Sequence, residues 1–213
     1  MNIELLKQLS EVHGIPGREE AVRVIVREKL GAVTDEMNVD AMGNLIALKR
    51  GSQNARRVMI AAHMDEIGFL VSHIDSKTGF LRIEPVGGFD PRVLLAKRVI
   101  IHTDNGQYIG AIGSKPIHVL PDEEKKKPVE IKDLFIDTGM RPEEVTEKIE
   151  VGDFVTLRQD FIEMGRFVSG KALDDRMGVF VMIEALKRVQ SHNVDIYAVA
   201  TTQEEVGLRG ARG

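Results

Sequence analysis

The chain has 213 residues, of which 43% are apolar, enough to bury a hydrophobic core in one or two domains. Its net charge of −4 argues against a nucleic-acid partner, because nucleic-acid-binding proteins usually present a basic face. Cysteine is absent, so disulfides, thiolate nucleophiles and cysteine-ligated zinc are excluded, and a metal site must use His, Asp and Glu. The N-terminus has no secretory pattern and no apolar run approaches the ~20 residues that span a bilayer, so we expect a cytoplasmic protein without a membrane partner.

The N-terminal region of the chain predicts helices followed by strands. Apolar residues at helical spacing predict one helix around residues 5–9 and a second over residues 18–30, separated by a Gly-Ile-Pro-Gly break. Glu19 and Glu20 lie in the first turn of the second helix, where acidic side chains suit the positive helix end. Strands are predicted next at residues 44–49 and 58–62. The second strand is an unbroken apolar run, which is typical of a strand covered on both faces in a parallel sheet.

The middle of the chain, from about residue 67 to residue 161, predicts a small β-barrel or sandwich. Asp104-Asn105-Gly106 indicates a hairpin turn. A single helix is predicted over residues 142–149, and the acid-rich stretch 121–150 is interpreted as an exposed loop and rim. The strand candidates, separated by turn signals, are residues 68–74, 81–85, 98–102, 108–112 and 154–157.

The C-terminal region returns to an α/β pattern, with a helix predicted over residues 177–189 and a strand over 196–200. The side chains expected to face inward on that helix are Val181, Ala185, Leu186 and Val189. The simplest fold class is therefore an α/β domain interrupted by an inserted β domain. The predicted boundaries are residues 1–66 for the first segment of the α/β domain, 67–163 for the insert and 164–213 for the second segment.

Two polar groups follow the predicted buried strands. His63 and Asp65 come directly after the strand at 58–62, and side chains two apart in an extended chain point to the same side. His63 could therefore bind a metal while Asp65 orients its imidazole. Glu204 and Glu205 follow the other strand, where one carboxylate could bind a metal and its neighbour could accept a proton from water. Taken singly, each group is also consistent with solvated residues at a strand end.

A third group, Asp174-Asp175, opens the helix at residue 177. N-capping explains one of the two carboxylates, and a nearby cation would relieve the repulsion between them. Because ligands bind beyond the carboxyl ends of strands in open α/β sheets, all three groups could meet at one sheet edge. Carboxylate oxygens with one imidazole suit zinc, cobalt or manganese.

The same residues carry a family resemblance. AHMDEIGF at 62–69, GKALDDR at 170–176 and TQEEVGLRGA at 202–211 resemble the three signature blocks of the M42 metallo-aminopeptidases. This family includes the tetrahedral and glutamyl aminopeptidases, some of which have been labelled endoglucanases. Residues 9–17 and 43–45 also fit the family. The resemblance implies a zinc-peptidase-like mixed sheet flanked by helices, with a PDZ-like β-barrel inserted for dimerisation.

The resemblance also implies a mechanism that uses two divalent ions per chain. His63 would bind one ion and Glu205 the other, while Asp174 would bridge them. An unusual Asp174–Asp175 peptide bond is expected at this position. Glu204 would be the general base on the water, and Asp65 would orient His63. The expected substrates are peptides that lose their N-terminal residue, and the expected assembly is a homodimer or a hollow dodecamer.

Family members continue well past the position of Gly213 and supply another Asp and another His as metal ligands. The sequence is therefore expected to be the N-terminal portion of such an enzyme. The alternative to an aminopeptidase is a catalytically inert, self-associating module. A glucanase is a weaker option, because glycosidases typically work with a carboxylate pair and no metal.

Overall fold

In the computed structural model, residues 2–123 and 125–212 are described, and they confirm the predicted α/β class with a barrel. Contacts divide the chain into two compact units, Met1–Glu66 with Asp160–Gly213, and Ile67–Gln159. None of the helices in the described residues combines the length and apolarity that crossing a membrane requires.

The helices are α1 (Ile3–Glu11), α2 (Glu20–Gly31), α3 (Pro142–Lys148) and α4 (Leu173–Arg188). The strands are β1 (Glu36–Val39), β2 (Leu45–Lys49), β3 (Arg56–His63), β4 (Gly68–Ile74), β5 (Leu81–Val86), β6 (Arg98–Thr103), β7 (Gly106–Ser114), β8 (Leu134–Asp137), β9 (Phe154–Leu157), β10 (Ile162–Met164), β11 (Phe167–Ser169) and β12 (Val194–Thr201). Short 3₁₀ turns cover Pro91–Val93, Ile117–Val119, Ile131–Asp133 and Gly210–Arg212.

The first unit is built on a four-stranded mixed sheet in the order β1-β2-β12-β3. Strand β12 pairs antiparallel with β2 and parallel with β3. Helices α1, α2 and α4 supply the apolar side chains that form a core with this sheet, and both N-terminal helices lie where the periodicity predicted them. The fully buried core residues on α1 and α2 are Leu6, Leu9, Val22, Val26 and Leu30.

Strand β3 corrects one prediction. Its apolar run was predicted to be covered on both faces, yet Val58, Met59 and Ile60 are exposed by 44%, 69% and 36%. The reason is that β3 is the edge strand of this sheet, whereas β12 lies between two partners and buries Ala198 and Ala200 completely. An apolar run therefore predicted the strand correctly and its burial wrongly.

Helix α4 corrects a second prediction, which concerned the side chains that face inward. Val181 was predicted to face inward but is 55% exposed, while Leu186 is buried as expected. The buried stripe runs through Val179, Phe180 and Ile183 at the three- and four-residue spacing of one helix face. Val181 lies on the opposite face from that stripe.

The second unit is a closed antiparallel barrel with strand order β4-β5-β8-β7-β6-β9. The β6–β7 hairpin turns at Asp104 and Asn105 as predicted, and α3 begins at the predicted Pro142. Strand β8 was missed, because it lies in the acidic stretch interpreted as loop and rim. Its side chains Leu134 and Ile136 are buried in the barrel core.

The close packing around Gly110 in β7 leads us to expect that adding a side chain there destabilises the barrel. An added Cβ there would collide with Ile136, so Gly110→Ala is expected to destabilise the barrel by about 1–3 kcal/mol through overpacking. Gly88→Ala is the matched control, because a Cβ at Gly88 meets no atom within 4 Å. Urea unfolding monitored by circular dichroism measures the free energy of unfolding of both variants. Equal stability of the two variants would contradict the packing described.

Candidate metal centre

The end of the sheet brings together two of the predicted polar groups. Strands β3 and β12 run parallel and in register, with His63 opposite Thr201. The backbone N–H of Met64 donates to the carbonyl of Thr201 at 2.7 Å, which extends the pairing by one residue. The segments that follow the two strands therefore leave the sheet side by side, and they carry Asp65 on one side and Glu204 on the other.

The start of α4 contributes the third group. Asp174 and Asp175 have non-helical backbone angles and are joined by a cis peptide bond. The Asp175 carboxylate caps the following helix by accepting from the N–H of Gly178 at 3.0 Å, and its other oxygen accepts from the N–H of His63 at 3.3 Å. Asp175 is thus the capping carboxylate of the pair, and the side chain of Asp174 is 90% exposed.

The imidazole of His63 lies at the centre of the three groups. Its Nδ1 is 3.1 Å from the backbone oxygen of Asp65, and donation of the Nδ1 hydrogen to this oxygen leaves Nε2 on the opposite side. Nε2 is 3.3 Å from Oδ1 of Asp174 and 3.8 Å from Oε2 of Glu204. Among the described residues, His63, Glu204 and Glu205 offer ligand atoms that all lie within 4.8 Å of one another.

Asp65 is fully buried and links the two strand ends. Its carboxylate accepts the backbone N–H groups of Glu204 and Glu205, both at 3.0 Å, and Oδ1 lies 3.5 Å from Nδ1 of His63. One carboxylate therefore lies against the imidazole and also binds the backbone N–H groups of both glutamates. The sequence pattern predicted the contact between Asp65 and His63. It did not predict the hydrogen bonds from the backbone N–H groups of Glu204 and Glu205.

Charge in the cluster shifts several pKa values. Burial lowers the pKa of His63, but its hydrogen bond to Asp65 and the charges of Asp65, Glu204 and Asp175 outweigh burial and raise it to about 9. Burial would raise the pKa of Asp65, yet contacts with His63 and two backbone N–H groups lower it. Burial, together with neighbouring carboxylates, raises the pKa of Glu205.

The residues fit a divalent cation. Asp174, Glu204 and Glu205 crowd their carboxylates around one imidazole, and the raised pKa of Glu205 reflects both its burial and that crowding. A cation would relieve the repulsion among the carboxylates. One imidazole with carboxylate oxygens is a donor set that zinc, cobalt and manganese accept.

The pKa of His63 predicts a pH dependence of stability in chelator-treated protein. Because the pKa is raised from 6.5 to about 9 on folding, protonated His63 stabilises the fold fully below pH 6.5, and this contribution is lost as the pH rises through about 9. Between pH 6.5 and about 9, the melting temperature of the wild type should fall relative to that of His63→Gln. The same change of melting temperature with pH in both proteins would contradict the prediction.

A buried ionic cluster includes Glu66 and Arg176, the residues directly after Asp65 and Asp175, and was not predicted from the sequence. Lys171 Nζ contacts both carboxylate oxygens of Glu66 at 2.6 and 2.7 Å, and both side chains are more than nine-tenths buried. Arg176, fully buried, donates to the backbone oxygens of Met64 and Leu9, both at 2.6 Å. The cluster ties the segment after β3 to the start of α4 and to the end of α1.

The chain resembles known aminopeptidases along nearly its whole length. The lysyl aminopeptidase of Pyrococcus furiosus is 38% identical over 98% of this chain and 61% of its own length. The solved structure of an aminopeptidase from Desulfurococcus kamchatkensis is 44% identical, with a TM-score of 0.91 over 99% of this chain and 58% of that one. The TET1 peptidase of Pyrococcus horikoshii, described as assembling into a tetrahedron or a large octahedral shell, is 38% identical, with a TM-score of 0.86 over 99% of this chain and 63% of that one.

The chain thus spans less than two thirds of the length of each of these relatives. Residues 43–213, which contain all the groups of the site, match the sequence profile of the M42 glutamyl aminopeptidases. The chain belongs to the M42 glutamyl aminopeptidase family.

Proposed function

We propose that the chain carries metal-binding and catalytic residues of an aminopeptidase that removes N-terminal residues from peptides. The observation that supports this most strongly is the grouping of His63, Glu204 and Glu205 within 4.8 Å at the end of the sheet. Membership of the M42 family and the names of the relatives support the reaction class. The alternative of an inert module has no comparable support from the site.

In this proposal, His63 would hold one of two divalent ions of zinc, cobalt or manganese, Glu205 would hold the other, and Asp174 would serve both. Bound ions would activate water and polarise the scissile carbonyl. Glu204 would accept the proton of the attacking water as general base, since Oε2 of its carboxylate lies 3.8 Å from Nε2 of His63. Asp65 holds the imidazole through its contacts at Nδ1.

Calorimetric titration with zinc and with cobalt tests the metal-binding aspect of this proposal. The wild-type chain should bind either metal, and Asp174→Asn should bind it about 10-fold or more weakly, because one charged ligand is lost. Asp160→Asn, at an exposed aspartate outside the cluster, is the matched control. Binding that is unaffected by Asp174→Asn, or absent from the wild type, would refute the assignment.

We also propose that the chain self-associates through the β-barrel as a dimer or a dodecamer in the cytoplasm. The tetrahedron or large octahedral shell described for the Pyrococcus horikoshii relative supports the self-association. Light scattering should find a dimer or a larger particle, and a strictly monomeric species would count against the proposal.

A further inference from the structure

The segment that carries the two glutamates has an unusual backbone. Residues 202–205 follow β12 but continue neither a strand nor a helix, and Gln203 has a left-handed φ of 54°. Non-glycine residues adopt this region uncommonly, so surrounding contacts must hold the conformation. The direction in which Glu204 and Glu205 leave this segment depends on those contacts.

Four successive backbone N–H groups in this segment are bound by side chains from elsewhere in the unit. The N–H of Thr202 donates to Oδ1 of Asn44 at 3.0 Å, and the N–H of Gln203 donates to Oε1 of Glu19 at 3.1 Å. The next two N–H groups donate to the Asp65 carboxylate described above. Three side chains thus take the place of the strand partners that these groups lack.

Among these three side chains, Glu19 has an environment that differs from the sequence prediction. It was predicted as an acidic residue in the first turn of a helix, but its side chain makes no cap hydrogen bond to α2 and is only 1% exposed. Its Oε1 accepts from Gly17 at 2.9 Å as well as from Gln203. A buried carboxylate used in this way joins the loop before α2 to the segment after β12.

Asn44 has an equivalent role at the preceding residue of the segment, Thr202. Its Oδ1 also accepts from the hydroxyl of Thr202 at 3.2 Å, and its Nδ2 donates to Asp40 at 2.7 Å and to the carbonyl of Gly210 at 2.9 Å. With all these contacts the amide is fixed in orientation. Asn44 therefore anchors the start of the segment, and Glu19 holds the residue directly before the two glutamates.

We propose that Glu19, supported by Asn44, is a positioning residue that aims the carboxylates of Glu204 and Glu205 at the His63 site. The inference rests on the proposed metal-binding function. Glu19 acts through the backbone of Gln203, and its loss frees this backbone to leave the left-handed conformation. The ligand and base that follow then lose their fixed directions.

Hydrogen–deuterium exchange tests the positioning step without any metal. Glu19→Met removes both oxygens at nearly constant length, Glu19→Gln keeps an acceptor oxygen, and Glu20→Met changes an exposed neighbour as the matched control. Exchange across residues 202–205 should become faster in Glu19→Met only, with peptides of the barrel unit unchanged in every variant. Unaltered exchange at 202–205 in Glu19→Met would overturn the proposal.

Zinc titration of the same proteins tests the consequence for the site. Glu19→Met should bind zinc about 10–100-fold more weakly, and Glu19→Gln should recover most of the affinity. An equal loss in both variants, or no loss in either, would overturn the inference. If the wild type binds no zinc, the proposed function fails, while the exchange experiment still decides the positioning role.

A variant with a shorter carboxylate covers the case in which Glu19→Met does not fold. Glu19→Asp keeps the charge but places the oxygens one methylene short of the N–H of Gln203, so it should accelerate exchange across 202–205 in the same way. Wild-type exchange in Glu19→Asp together with wild-type zinc affinity would then contradict the proposal.

Discussion

On the proposed aminopeptidase mechanism, Glu204→Gln is expected to slow the hydrolysis of an aminoacyl-anilide by about 10²–10⁴-fold while zinc or cobalt stays bound. The glutamine side chain keeps the length and an oxygen of Glu204, but it cannot accept a proton from water. Steady-state kinetics on the metal-loaded enzyme measure the rate, and elemental analysis after desalting measures the bound metal.

Glu205→Gln is the matched comparison, because it changes the neighbouring carboxylate in the same way. This variant should lose metal affinity, and excess metal should restore some of its activity. Excess metal should not restore Glu204→Gln. Full turnover by Glu204→Gln, or recovery of that variant with added metal, would contradict the role of Glu204 as general base.

Lys171→Met is expected to have the largest effect on stability, lowering the free energy of unfolding of the first unit by about 3–5 kcal/mol. The substitution leaves the carboxylate of Glu66 buried without the ammonium that contacts both of its oxygens. Burial lowers the pKa of Lys171 and the charge of Glu66 opposes this shift, so the pair depends on mutual compensation. Urea unfolding monitored by circular dichroism measures the loss.

Two further variants separate this effect from a general loss of a lysine. Lys187→Met removes a partly exposed ion pair with Glu184 and should cost no more than about 1 kcal/mol. After Lys171→Met, Glu66 keeps the more distant guanidinium of Arg176 at 3.8 Å and the N–H of Gly14 at 3.2 Å. Combining Lys171→Met with Glu66→Gln removes this incompletely compensated charge and should recover some of the stability. A double variant less stable than Lys171→Met would contradict the incompletely compensated carboxylate as the cause.

Periodicity predicted the local elements well where the pattern is long. The apolar residues of α1 and α2 repeat over several turns, and the Asp104–Gly106 turn specifies the hairpin that joins β6 and β7. Strand β8 was missed because four residues with two buried side chains, set in an acidic stretch, resemble a loop. The burial of β3 could not be predicted, since an apolar run does not state whether a strand lies at an edge.

The candidate site likewise combines features that the sequence could predict with features that it could not. The proximity of His63, Asp65 and Glu204 could be predicted, because they directly follow strands whose ends meet at one edge. The role of Glu19 could not be predicted in this way, since its partner Gln203 lies 184 residues further along the chain. A carboxylate at a helix start has the same local pattern whether it is solvated or buried against a distant backbone.

Anomalous scattering from a zinc-soaked crystal shows whether a metal ion binds beside His63. We expect zinc peaks beside Nε2 of His63 and beside the carboxylate of Glu205, with Asp174 next to both, and loss of the peak beside His63 in His63→Ala. A zinc peak elsewhere in the chain with none beside His63 would contradict this expectation.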